Sequence, residues 1–317
     1  VIKQRHFSKA LSLAVTLLWS AASFAEGWHP PVGSEEVPLW PAEPPLARPR
    51  ADGPELVHVG KYLKAGRPVT WVSEVTRPTI VFMHPTAHNT GVAVLVFPGG
   101  GYTKLAIDLE GTDVCDWLTA KGITCAVLKY RVPGSGHYWD ASCRCHKTPQ
   151  VPMALQDAQR AMVLLRSRAK SLGVDPNKIG VLGMSSGGHL VTAISNADAL
   201  SYPPVDAADA LGSRPNFGIA LYPGHLWSGS GMDGYTFNHV SKQAPPTFIL
   251  HAQDDPVDDV RNSIFYFLAL RQAGIPTEMH IYAEGGHGFG LRRTQQPITH
   301  WTDLAETWLK TIGMFKH

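Results

Sequence analysis

Unbroken apolar runs alternate along this chain with stretches whose apolar positions recur every three or four residues. Val92–Phe97 and Ile179–Leu182 are continuous apolar runs, the pattern of strands buried on both faces. Ile123–Leu128, Asn216–Tyr222, Thr247–Ala252 and Glu278–Tyr282 extend the series. Between them, Leu155, Ala158, Met162, Leu165, Ala169 and Leu172 mark one face of a helix that Pro152 is suited to open. Further helices are predicted from Thr112, which can cap the first of them, to Lys121 with a stop at Gly122, over Gly187–Ala197, and over Arg261–Ala273 with a stop at Gly274. A last one carries Ile298, Trp301, Leu304, Trp308 and Ile312. Strands alternating with helices predict an α/β architecture, a mostly parallel central sheet with helices on both faces. Thr70–Val75 and Thr79–Phe82 are β-branched runs parted by a turn at Arg77-Pro78 and are expected at an edge. Residues 26–56 are proline-rich and aperiodic and should wrap the surface, and Tyr130–Val151 is an irregular excursion.

Ligands of such sheets bind beyond the carboxyl ends of the strands, so the chemistry is sought there. The run Ile179–Leu182 leads into Gly183-Met184-Ser185-Ser186-Gly187, a G-x-S-x-G elbow between a strand and a helix. A serine on so sharp a turn leaves no room for side chains two residues either side, and glycine removes the clash. The turn lifts the Ser185 hydroxyl above the sheet and aims the Ser186 amide, at the helix N-terminus, toward a developing negative charge. A serine nucleophile needs a base and a group to orient that base. His287 follows the last strand in Glu284-Gly285-Gly286-His287-Gly288-Phe289-Gly290 and is the expected base. Asp255 follows the strand Thr247–Ala252 and is the expected orienter, with Asp254 an immediate rival and Asp258 and Asp259 close behind. His251 lies inside a strand and is expected to be structural. The loop Pro98-Gly99-Gly100-Gly101-Tyr102 ends another strand, and the amides of Gly100 and Gly101 are expected to join Ser186 around an oxyanion. Aromatic and polar loop residues Tyr102, Tyr138, Trp139, His225, Trp227, Tyr235 and Phe237 are candidates to contact a substrate or to pack the loops onto the domain.

Composition narrows the field. The chain has 317 residues, 44% hydrophobic and 17% charged, which suits one large α/β domain or two small ones. Lys3, Arg5 and Lys9 precede an apolar stretch, Ala10–Trp19, and a small-x-small site, Ser23-Phe24-Ala25. Residues 1–25 therefore read as a signal peptide cut after Ala25, leaving 26–317 as a single catalytic domain, secreted or periplasmic. Loss of those three cations leaves 25 basic against 26 acidic residues, a net charge of −1 in place of +2. So near-neutral a protein is not expected to bind nucleic acid or an anionic membrane. Export permits disulfides among Cys115, Cys125, Cys143 and Cys145, although Cys115 and Cys125 also suit buried positions as free thiols. Asp254, Asp255 and histidines could in principle ligate zinc, but no H-E-x-x-H or comparable cluster occurs, so no metal is expected. Neither G-x-G-x-x-G after a first strand nor G-x-x-x-x-G-K-[ST] is present, so a nucleotide loop is not expected either.

The chain resembles the α/β-hydrolase superfamily, and within it the secreted esterase/lipase group termed acetyl xylan esterase-like. The resemblance rests on Val37-Pro38-Leu39-Trp40-Pro41, Phe97–Tyr102, Glu110-Gly111, Leu155-Gln156-Asp157-Ala158-Gln159-Arg160-Ala161, Gly183–Leu190, Asp254–Val257 and Gly286–Phe289. It implies a triad of Ser185, Asp255 and His287, no cofactor, and hydrolysis of short acyl esters on sugars or simple alcohols. The sequence itself inserts no long helical cap between the strands, so no large cap domain is expected. The chain departs from the family around Cys143–Cys145 and over His225–Gln243, where the walls of an open site would come from. Prolyl-oligopeptidase-type catalytic domains share the elbow and the histidine loop, so a peptidase is the alternative enzyme. No propeller-sized segment precedes the elbow here. A noncatalytic binding protein on the same fold is the reading from another class.

Overall fold

The computed structural model describes residues 27–45, 53–86, 88–133, 139–140, 145–146, 152–227 and 240–315. The expected leader, and with it Tyr138, Cys143, Tyr235 and Phe237, lies outside the described residues.

In chain order the strands are β1 (Glu35–Pro38), β2 (Leu56–Lys64), β3 (Arg67–Ser73), β4 (Thr79–Met83), β5 (Ala93–Phe97), β6 (Leu105–Ala106), β7 (Thr124–Lys129), β8 (Trp139–Asp140), β9 (Cys145–His146), β10 (Ile179–Met184), β11 (Gly218–Leu221), β12 (Thr247–Ala252) and β13 (Thr277–Tyr282). The helices are α1 (Asp113–Ala120), α2 (Pro152–Ser167), α3 (Ala169–Leu172), α4 (Ser186–Asn196), α5 (Arg261–Gln272) and α6 (Trp301–Thr311). Eight strands form one sheet in the order β1-β4-β7-β5-β10-β11-β12-β13. From β7 to β13 every pairing is parallel, while β4 runs antiparallel to both β7 and β1. Every residue of β5, β7, β10, β11 and β12 is buried, which requires cover on both faces of the sheet. Helices α4 and α5 are joined by Asn196 donating to the Tyr266 hydroxyl at 3.1 Å, and α1 meets α6 through the edge-on pair Trp117–Trp301. The strands that lead to Gly99, Ser185, Asp255 and His287 are β5, β10, β12 and β13, so all four loops leave from carboxyl ends of one sheet.

Four local expectations are corrected. Strand β4 is not an edge: β1, from the proline-rich segment, pairs along its outer side from Glu35↔Phe82 to Pro38↔Thr79. Backbone hydrogen bonds need no hydrophobic period, which is why the aperiodic segment concealed a strand. Strand β3 belongs instead to a separate three-stranded sheet, β2-β3-β6, whose hairpin turns at Ala65-Gly66, both with positive φ. Thr112 is not a helix cap. A π-helical turn over Asp108–Thr112 runs directly into α1, and Thr112 has helical dihedrals and no capping side-chain bond. The predicted long helix after Pro152 breaks at Arg168, whose φ of −95° and ψ of 1° fall in the bridge region, and resumes as the short α3.

Cys115 on α1 is disulfide-bonded to Cys125 on β7. A second long-range tie is ionic. Arg131, just past β7, and Asp157 on α2 are both fully buried and pair at 2.9 Å. Asp157 also accepts from the Trp40 indole at 2.9 Å and from the Arg131 amide at 3.0 Å. Burial pushes the Asp157 carboxyl up, against the pull of Arg131. Removing one partner of such a pair strands the other charge in the core. Asp157→Ala is therefore expected to cost about 3–5 kcal/mol. It should lower the urea midpoint at constant slope, and an unchanged midpoint would contradict this account of the network.

Candidate active site

Ser185 sits between β10 and α4 with φ 55° and ψ −123°, outside the regions that side-chain-bearing residues favour. The elbow exists because its flanking glycines allow backbone contacts that a Cβ would forbid. One at Gly183 would lie 2.1 Å from the Gly187 carbonyl oxygen, and one at Gly187 would lie 2.0 Å from the Phe97 carbonyl oxygen. The Ser185 amide donates to the Leu221 carbonyl of neighbouring β11 at 3.0 Å, which fixes the turn to the sheet.

The structure brings Ser185, His287 and Asp255 into one hydrogen-bonded series. His287 Nδ1 is 2.7 Å from Asp255 Oδ2 and His287 Nε2 is 3.0 Å from Ser185 Oγ. An ionised carboxylate can only accept, so a neutral imidazole here carries its proton on Nδ1, leaving Nε2 to accept from the serine hydroxyl. Asp255 Oδ1 takes the amides of Val257 at 2.8 Å and Asp258 at 3.0 Å. His251, buried on β12, stands 3.3 Å from Asp255 Oδ2 and donates to the Asp258 carbonyl at 2.9 Å. Burial opposes ionisation of Asp255, but the hydrogen bonds from His251 and His287 outweigh it and hold the carboxyl well below its usual range. Asp254 has a different role: its Oδ1 accepts from the Gly286 amide at 2.8 Å and so holds the histidine loop. Asp259 is paired with Arg261. Burial alone would lower the His287 pKa, yet Asp255, Asp258 and Glu110 together raise it above that of an ordinary imidazole.

Glu110 and Lys64 were not anticipated as parts of the site. Glu110 is buried, accepting from the Gly99 amide at 2.8 Å and the Tyr222 hydroxyl at 3.0 Å, and burial raises its carboxyl. It fixes the start of the glycine loop, and its sequence signal was the Glu110-Gly111 pair. Lys64, at the end of β2, donates to the His287 carbonyl at 2.7 Å. Further along the loop one expectation is corrected: the Gly101 amide, expected to face an oxyanion, instead donates to Ser186 Oγ at 3.0 Å. Gly100 has φ 136°, and a Cβ there would lie 2.1 Å from the Lys104 carbonyl oxygen.

A cavity of about 370 Å³ opens over Ser185 and His287, with Gly100, Gly101, His225 and Asp258 in its wall. The facing wall comes from the small sheet and its neighbours: Val69, Trp71, Lys104 and Leu109, with the Lys104 ammonium 4.0 Å above the Trp71 ring. Two expected substrate contacts are corrected. Tyr102 is fully buried, its hydroxyl 2.8 Å from His189 Nδ1, so it packs the loop from beneath. Trp227 is buried under the Arg261 guanidinium, 3.7 Å from its ring, and is not in the cavity wall. Of Trp139 only the backbone is described, in β8, while Tyr138 and Tyr235 lie outside the described residues. Among the described residues no group of three His, Cys, Asp or Glu is placed to hold a metal ion, and no helix is long and apolar enough to cross a membrane.

A parallel sheet carrying a strand–elbow–helix and post-strand acidic and histidine loops is the α/β-hydrolase architecture. Residues 113–312 match the model of the prolyl oligopeptidase family, and the chain belongs to that family. It is 32% identical over 246 residues to an acetylxylan esterase of Xylanibacter ruminicola, an alignment covering 70% of this chain and 46% of that protein. It is 29% identical over 223 residues to endo-1,4-beta-xylanase B of Butyrivibrio fibrisolvens, covering 63% of this chain and 33% of that protein. The chain thus spans half or less of the length of these two curated relatives. Among solved structures it is similar to the acetyl ester-xyloside bifunctional hydrolase of Caldicellulosiruptor lactoaceticus. The TM-score there is 0.65 at 30% identity, over 89% of this chain and 97% of that one.

Proposed function

We propose that this chain is a serine carboxylesterase that removes short acyl groups, acetyl foremost, from carbohydrate esters. The observation that carries the proposal is the series Ser185–His287–Asp255, held at the N-terminus of α4 and opening onto the cavity. Ser185 Oγ attacks the ester carbonyl carbon as its proton passes to His287 Nε2. The oxyanion rests against the amides of Ser186 and Gly100, while the Gly101 amide, engaged by Ser186 Oγ, keeps the loop in place. Imidazolium then protonates the departing alcohol oxygen, leaving an acyl-enzyme. Water gives its proton to His287, attacks the acyl carbon, and releases the acid and Ser185. Asp255 stays ionised throughout. The names of the relatives favour acetylated xylan fragments as substrate. The Cys115–Cys125 bridge favours an oxidising compartment and so an exported protein, and the one sheet that runs from β1 to β13 supports the reading of 26–317 as a single catalytic domain.

The test compares kcat/KM for acetylated xylo-oligosaccharide with nitrophenyl acetate, butyrate and octanoate and with an acyl-peptide anilide. Sugar acetate is expected to lead and octanoate to trail. Preference for the peptide would instead support the peptidase reading that the family name brings. The same assay across pH should show an acid limb above the ordinary imidazole range, because the base must be neutral and its neighbours raise its pKa. A limb below that range would contradict the electrostatics of the site.

A further inference from the structure

Asp258 is not needed for the triad, yet its carboxylate stands in the cavity beside the reacting atoms. Its Oδ2 is 3.9 Å from His287 Nε2, the nitrogen that faces Ser185 Oγ. The residue is 4% exposed, and that small exposure opens on the cavity. Its place is fixed from both ends of its own backbone: the amide donates to Asp255 Oδ1 at 3.0 Å and the carbonyl accepts from His251 Nε2 at 2.9 Å. The carboxylate lies against Gly224, where a Cβ would come within 2.4 Å of Asp258 Oδ1. A carboxylate held this firmly so near the base is a preorganised acceptor.

The chemistry of ester cleavage says what it meets. The leaving oxygen must reach His287 Nε2 to be protonated, so atoms attached next to that oxygen lie near Asp258. A bare alkyl chain there meets a carboxylate it cannot hydrogen-bond, and negative charge growing on the leaving oxygen is repelled. An alcohol with a hydroxyl on the adjacent carbon presents a donor instead. A carboxylate has about four acceptor positions, so this bond does not displace its protein partners. We propose that Asp258 is a specificity residue that accepts a hydrogen bond from the hydroxyl adjacent to the esterified oxygen, selecting esters of vicinal diols such as sugar rings. This rests on the ester-hydrolase reading above and names the structural element of the alcohol that the site reads.

The test uses the full chain and two isosteric esters, 2-hydroxyethyl acetate and propyl acetate, which differ by a hydroxyl in place of a methyl group. The parent protein is expected to favour the hydroxyethyl ester on the order of tenfold in kcat/KM, the scale of a hydrogen bond to a charged group. Asp258→Ala should bring the ratio to about one, or below it, since a methyl group then gains by burial. Asp258→Asn, nearly isosteric and the safer fold, should reduce the ratio and also move the acid limb to lower pH. It removes one of the carboxylates facing His287, while Asp255, Glu110 and the Lys64 ammonium keep their places. A purely structural role would not move that limb in this direction. Equal rates on the two esters in the parent protein, or an unchanged ratio in both variants, would overturn the proposal with ester hydrolysis intact. Failure of the parent protein on these esters and on nitrophenyl acetate alike would overturn the underlying reading as well.

Discussion

Ser185→Ala is expected to lower kcat on acetate esters by about 10⁴- to 10⁶-fold, the range seen when a serine hydrolase loses its nucleophile. The residual rate would come from the amides of Ser186 and Gly100 and from binding, which the substitution leaves in place. The folded state should survive. Ser185 is buried to all but 9% and its hydroxyl bonds the side chain of His287, so an alanine leaves no new backbone group unpaired. Its positive φ is equally unfavourable for alanine, so the strain of order 1–3 kcal/mol is neither added nor relieved. Ser185→Gly makes the complementary point. It should be as inactive but more stable, because glycine adopts that backbone freely. Labelling by a fluorophosphonate should disappear in both variants, and full activity in either would end the nucleophile assignment.

The elements that carry the site were legible because burial on both faces writes them as apolar runs. Strands β5, β10 and β12 have no exposed residue, and the sequence shows them as such. The Gln156-Asp157-Ala158-Gln159-Arg160 motif now has a physical reading. Gln156 and Gln159 donate to the Ser201 and Ala199 carbonyls, Asp157 pairs with Arg131, and Arg160 donates to the Leu39 carbonyl. Strand β2 was illegible because nearly all of it faces solvent, with Val59 and Tyr62 at 63% and 90% exposure. It therefore has no apolar alternation to read, and with it went Lys64 and the Trp71 wall. Pattern could not tell stacking aromatics from packing ones, since Trp227 and Trp71 differ only in what the fold lays over them. Nor could spacing choose among four aspartates within six residues. That choice depends on which carboxylate the loop turns inward.

The turn after β12 makes that choice testable. Asp255→Asn is expected to lower kcat at neutral pH by about 10⁴-fold, as happens when a triad carboxylate becomes an amide. The argument is one of tautomers. Asp255 Oδ1 accepts from the amides of Val257 and Asp258, so an asparagine must keep its oxygen there and present its NH₂ where Oδ2 had been. That NH₂ lies 2.7 Å from His287 Nδ1 and can only donate. Nδ1 must then accept, the ring proton moves to Nε2, and Nε2 points a proton at Ser185 Oγ instead of receiving one. Geometry is kept while the base is disabled. Asp254→Asn has no such consequence: the asparagine oxygen can still accept from the Gly286 amide, so activity should stay within about threefold of the parent protein, the effect of a neutral for a charged acceptor at an exposed site. The paired measurement of kcat in the two variants decides the assignment. Loss in Asp254→Asn with near-full activity in Asp255→Asn would reverse it, and would place the orienting carboxylate on the outer face of the loop instead of the inner one.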